Sequence, residues 1–195
     1  MRAETLTGGF EAPAHQAAHA FRAIMDALAR PGRTLDATGA APPAPLSTAA
    51  GAVLLTRCDS DTPVHLAGAF DTPEVRTWLA FHTGAPIATP AGCMFALGAW
   101  EGLQPLSAYP IGTSEYPDRS ATLIVECDAL SGEGAVLRGP GIQGAAALSL
   151  PEVAAFQANA ALFPLGLDFI FTSGTHLAAL PRTTQVTAQN TGGAV

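Results

Sequence analysis

Several groups of residues have types and spacings that could do chemistry. His15 and His19 stand four apart, one helical turn, and could clamp a metal ion. The glutamate of an HExxH zinc helix is missing and no third ligand is evident, so a solvated polar stripe is the stronger reading and no metal is expected. Asp59 and Asp61 stand two apart, like half of a calcium loop, but the glycine and distal glutamate of that loop are absent. Turn and cap chemistry accounts for them better. Gly139 to Gly144 reads GPGIQG and matches the phosphate-binding pattern GxGxxG letter for letter. No helix opens at these glycines, and Pro140 removes an amide that a phosphate would need. A glycine-rich turn between strands is expected, with its remaining amides beside Arg138 able to form a small anion nest. His82 falls at a helix C-terminus, where the dipole favours it as a cap. Asp168 and Arg182 bracket an apolar hairpin.

That hairpin organises the chain. Leu167 to Thr172 reads as a strand, Ser173-Gly174-Thr175 as a turn, and Leu177 to Leu180 as a second strand. Both runs are apolar on both faces, which suits the interior of a sheet covered on each side. Arg182 follows Pro181, where the chain must leave the ladder. In one register Asp168 and Arg182 share a face and form an ion pair; shifted by one residue they point apart. The expectation adopted is the second. It leaves Arg182 free beside Thr183 and Thr184 to hold a phosphate-type anion or a partner's carboxylate.

The elements around the hairpin are read from periodicity and punctuation. Residues 13 to 29 predict an amphipathic helix with Ala17, Phe21, Ile24, Met25 and Leu28 on one face, stopped by Pro31-Gly32. Ser47 and Thr72 cap two further helices, the second opening on Pro73 and burying Val75, Trp78 and Leu79. Arg33–Asp36, Val64–Ala67, Cys93–Leu97, Ala121–Cys127 and Ala135–Arg138 are strand candidates, with Ile87. A last helix is expected near Pro151, with Ser149 and Glu152 as a capping box. The Gly- and Pro-punctuated stretch 99–120 reads as a functional or interfacial loop. Together these predict an α/β sandwich with a mixed sheet, in one domain spanning 1–195 with 1–12 and 188–195 frayed.

Composition removes whole classes of function. The 195 residues are 48% hydrophobic and only 13% charged, so some apolar surface is left for interfaces. A net charge of −7 argues against a nucleic-acid partner. No apolar run approaches membrane-spanning length, and the N-terminus lacks a signal segment. Cys58, Cys93 and Cys127 are scattered and odd in number, which suits a reducing cytoplasm. All nine basic residues are arginine. Without lysine there is neither a Walker A lysine nor a Schiff base, and any anion held by side-chain charge is held by arginine.

An ordered set of segments runs across nearly the whole chain: Phe21-Arg22 with Met25 and Pro31-Gly32, Asp61-Thr62-Pro63-Val64, Phe81-His82-Thr83-Gly84-Ala85-Pro86, and Gly112-Thr113 with Tyr116-Pro117-Asp118. Leu137 to Ile142, Phe163 to Asp168 and Leu180 to Thr184 complete the set. In this order it resembles the PhnH family, a subunit of the bacterial carbon–phosphorus lyase system. The resemblance implies an αβα sandwich like that of the pyridoxal-phosphate-dependent transferases, without the cofactor. It implies a complex with the G, I and J subunits. That complex forms alpha-D-ribose 1-methylphosphonate 5-triphosphate from ATP and methylphosphonate with release of adenine. Self-association to a homodimer is expected when those partners are absent.

Glycosyl transfer needs a carboxylate beside an oxocarbenium-like centre and an acid for the departing base. In the recognised motifs Asp168, Asp61, Asp118 and His82 are the candidates, and Arg182, Thr183 and Arg138 would supply the anion site. Each of the four also reads as a cap, turn former or ion-pair partner, which favours an assembly or ligand-positioning subunit. The alternative is a stand-alone enzyme that binds a small nucleotide or phosphonate.

Overall fold

Along residues 6–189, which the computed structural model describes, four α-helices alternate with nine strands. In order they are α1 (Pro13–Ala29), β1 (Leu35–Asp36), α2 (Thr48–Arg57), β2 (Val64–Leu66), α3 (Pro73–Thr83), β3 (Phe95–Ala99) and β4 (Thr122–Glu126). β5 (Ala135–Arg138), β6 (Ala146–Leu148), α4 (Val153–Ala160), β7 (Asp168–Ser173), β8 (His176–Leu180) and β9 (Gln185–Thr187) follow. The predicted caps are in place: Ser47 Oγ accepts from Ala50 N at 3.1 Å and Thr72 Oγ1 from Val75 N at 3.2 Å. The long segment 99–120 is only partly irregular, because 3₁₀ turns at Trp100–Leu103 and Leu106–Ala108 fold it back onto the sheet.

Six strands form one mixed sheet in the order β1-β8-β7-β4-β3-β2. β2, β3, β4 and β7 run parallel; β8 and β1 are added antiparallel at the β7 side. Period-two alternation sends neighbouring side chains into two cores. Ile124 and Ile170 face α1, α2 and α3, whereas Leu123, Val125, Phe169 and Phe171 face the other way. There Phe156 of α4 meets Phe169 and Phe171 edge-on, with ring centroids 4.9 and 5.7 Å apart. Each fully buried ring contributes about 1.5–3 kcal/mol.

The sandwich departs from expectation on that second side. Besides α4, its covering is a three-stranded antiparallel sheet, β6-β5-β9, and the 3₁₀ turns carrying Trp100 and Leu103. β9 was not foreseen. Pro181 takes the chain out of the main ladder, and Gln185–Thr187 then pairs with β5.

Three other expectations are corrected. α1 buries Ala20, Ile24 and Ala27, while Phe21 and Met25 remain 43% and 47% exposed. α1 packs on α2, and its small residues Ala20 and Ala27 lie with Ile24 on the covered side. Ser149 and Glu152 form no capping box: Ser149 Oγ accepts from Ser131 N, and Glu152 Oε2 accepts from Trp100 Nε1. Residues 6–12 are not frayed, since the Gly8 carbonyl accepts from Ala41 N at 2.9 Å. Residues 1–5 and 190–195, also expected to fray, lie outside the described residues.

A polar side chain of α4 braces the entry to β7. Asn159 Nδ2 donates to Leu167 O (2.9 Å) and its Oδ1 accepts from Leu167 N (2.8 Å), completing the backbone bonds of the residue before β7. Gly166, at φ +120°, lets the chain pass under that amide; a Cβ there would sit 3.0 Å from Asn159 Oδ1. Replacing Asn159 with leucine leaves two buried backbone groups unsatisfied, at about 1–3 kcal/mol each. Urea denaturation of Asn159→Leu is therefore expected to show a loss of about 2–6 kcal/mol.

Candidate functional site

Arg182 is not free. Its backbone N–H donates to Asp168 Oδ1 at 2.8 Å, Nε reaches the same oxygen at 3.2 Å, and Nη2 reaches Oδ2 at 2.6 Å. Nη1 donates to Pro117 O at 2.8 Å, and Nη2 also to Ser120 Oγ. The pairing of Phe169 with Leu180 puts Asp168 across from the point where the chain leaves β8. The turn after Pro181 then aims both the amide and the fork of Arg182 at that carboxylate. The expected free arginine is thus replaced by an ion pair that also fastens residues 117–120 to the sheet. Thr183 is exposed with its carbonyl turned toward Gly139, and Thr184 Oγ1 is sealed without a partner, so the Thr184 hydroxyl is closed to a ligand.

Asp168 and Arg182 line a cavity of about 260 Å³ at the amino ends of β3, β4 and β7, together with Asp118, Ser120, Thr122 and Arg57. The Arg57 guanidinium lies 5.9 Å above the Phe95 ring. α1 and α2 end here, through Leu28 and Arg57, and bring the negative poles of their dipoles. Two arginines face two aspartates and two helix C-termini. The formal charges cancel and the helix C-termini tip the site slightly negative, so this is a polar brace with a small opening rather than a positive cradle.

The other candidates lie elsewhere. Arg138 Nη1 donates to Gly144 O at 3.0 Å and braces the turn that carries the GxGxxG letters. Gly141 (φ +78°) is needed because a Cβ there would collide with Ala29 O at the end of α1. His82 packs on Trp78 at 5.2 Å between ring centroids, and its Nε2 lies 3.4 Å from Thr7 O, holding the N-terminal segment. Asp61 is exposed in a turn whose hub is Asp59, which accepts the Asp61 amide at 2.9 Å. Among the described residues no three His, Cys, Asp or Glu side chains are grouped to hold a metal. Burial pushes the thiols of Cys58, Cys93 and Cys127 up to about 12, 11 and 11, so they stay protonated and unreactive.

Glu126 escaped the sequence reading. It ends β4 at the opposite, carboxyl edge, accepting the Ser47 amide at 2.7 Å and the Thr172 hydroxyl at 3.0 Å. Burial pushes its carboxyl above the ordinary range, against the opposing pull of the bonds from Ser47 and Thr172. Carboxyl edges of parallel sheets and helix N-termini are where such folds hold ligand anions. Here the α2 N-terminus already has an anion, supplied by the chain itself. The only available sequence signal was a glutamate closing the apolar run Leu123–Val125, which is also how a strand commonly meets solvent.

A family model described as bacterial phosphonate metabolism protein (PhnH) matches residues 8–187, a span that includes every helix and strand above. The chain is 41% identical over 196 aligned positions to the alpha-D-ribose 1-methylphosphonate 5-triphosphate synthase subunit PhnH of Rhizobium meliloti (strain 1021), covering 95% of this chain and 97% of that protein. It is 31% identical to the putative C-P lyase subunit protein HtxG of Stutzerimonas stutzeri, covering 91% and 88%.

Two variants test these geometries. Arg182→Lys keeps the charge but loses the fork that reaches Pro117 and Ser120. It is expected to cost about 1–3 kcal/mol and to open residues 113–120 to limited proteolysis. For Glu126, a folded-state pKa above the unfolded value means that its contribution to stability is fully present below the unfolded pKa. That contribution is lost as pH rises through the folded pKa. Glu126→Gln keeps an acceptor for Ser47 and removes the buried charge. Thermal unfolding should find it at least as stable as the native chain at pH 7, with any advantage gone by about pH 4.

Proposed function

Because the chain belongs to the PhnH family of bacterial phosphonate metabolism proteins, we propose that it is a subunit of a C–P lyase complex in organophosphonate catabolism. With its partners it is required to form alpha-D-ribose 1-methylphosphonate 5-triphosphate from ATP and methylphosphonate with release of adenine. The observation that carries this reading is the end-to-end match at 41% identity to a relative named for that synthase. The part assigned to this chain is assembly or ligand positioning. Supporting that part, Asp168 is engaged by Arg182, His82 and Asp61 serve local structure, and the thiols are protonated.

The partners in this reading are the G, I and J subunits, with a homodimer in their absence, in the cytoplasm. No described helix is long and apolar enough to cross a membrane. The same reading makes the chain one domain, related in fold to the pyridoxal-phosphate-dependent transferases. It uses no pyridoxal phosphate, since the chain has no lysine to form the internal aldimine.

Adenine release from ATP and methylphosphonate, followed by chromatography, tests the proposal. The co-expressed G, I and J subunits should release adenine only when this chain is present, and the chain alone should release none. Full activity without it, or turnover by the chain alone, would overturn the assignment.

A further inference from the structure

An apolar cavity of about 480 Å³ lies between residues 104–111 and α4, away from every group discussed as a site. Leu106, Ile111, Ala158, Leu162 and Leu167 supply its apolar lining. Tyr109 also lines it and is only 6% exposed, yet no hydrogen bond reaches its hydroxyl among the described residues. The sealed side-chain polar atoms lacking partners are Trp78 Nε1 and Thr184 Oγ1. The Tyr109 hydroxyl is not one of them, so it meets open space. Open to the cavity, the hydroxyl is placed to bond water or an acceptor on an occupant.

The apolar surface continues outward from the cavity, with Leu162 46% and Phe163 60% exposed. The bond from Gly166 N to Ile111 O, 3.0 Å, holds this segment against the opposite wall. Charge narrows the occupant. No arginine lines the cavity, the chain has no lysine, and the charged group in the lining is Glu152. A phosphonate or triphosphate would find no counter-charge there. An apolar anchor flanked by a basic residue would find both a greasy pocket and a carboxylate.

Building on the subunit reading above, we infer that this cavity is a docking site for a partner subunit. The partner inserts an aromatic or aliphatic side chain and sets a lysine or arginine against Glu152. Interfaces concentrate their energy in such desolvated pockets, and opposite charge at the rim steers encounter.

The test fills the pocket from its exposed wall. Ala158 is exposed on α4, so Ala158→Trp occupies the cavity without entering either core. The thermal midpoint should be unchanged, while affinity for the co-purified G, I and J subunits, measured by titration calorimetry, falls at least tenfold. Tyr109→Phe should weaken binding by about three- to tenfold, the loss of one hydrogen bond. If Ala158→Trp does not fold, Ser107→Trp fills the cavity from the facing loop and takes its place. Native affinity in the filled variant, with the native chain still assembling, would overturn the docking site and leave the subunit reading standing. Failure of the native chain to assemble would overturn both. If filling the pocket abolished only self-association, the occupant would be a second copy, and the inference would be wrong.

Discussion

The structure depends on a central sheet that cannot face water on either side. β4 and β7 place apolar side chains alternately above and below: Leu123, Val125, Phe169 and Phe171 on one face, Ile124 and Ile170 on the other. Everything else is covering. α1, α2 and α3 close one face, while α4, the small sheet and the turns carrying Trp100 and Leu103 close the second. This explains why a chain of this size carries so few charges, and why its long loop is folded down rather than waving in solvent.

How much of this was readable from the residues follows from how local each signal is. Ser47 and Thr72 announce helix starts within three residues, and the two runs flanking Ser173-Gly174-Thr175, apolar on both faces, announce a doubly covered hairpin; both were legible. The stripe of α1 was not, because Phe21 and Met25 look like core residues, and only the packing of α1 on its neighbours shows Ala20, Ile24 and Ala27 to be the covered side. β9 was invisible for a similar reason. Three residues, Gln185–Thr187, have no pattern of their own, and their strand exists because β5 offers an unpaired edge.

The candidate site was legible in its members and not in its geometry. Asp168 and Arg182 were identified and do meet, in company with Pro117 and Ser120, but as a clasp rather than as an open anion site. A one-residue choice of register decides between those outcomes, and no side-chain type reveals it. Glu126 shows the opposite failure. Its setting, with the Ser47 amide 79 residues away in sequence, can be seen only once the strand end and the helix start have been brought together.

The order of the strands has a consequence for how the protein is made. β1, near the start of the chain, takes its place only beside β8, and β5 completes its small sheet only when β9 arrives. During synthesis from the N-terminus, the main sheet therefore lacks an edge until about residue 180 emerges, and the second core lacks part of its cover until residue 187. Such long-range closures are slow and leave greasy surface open while they wait. The chain must therefore be made through β9 before it can hide its own interior.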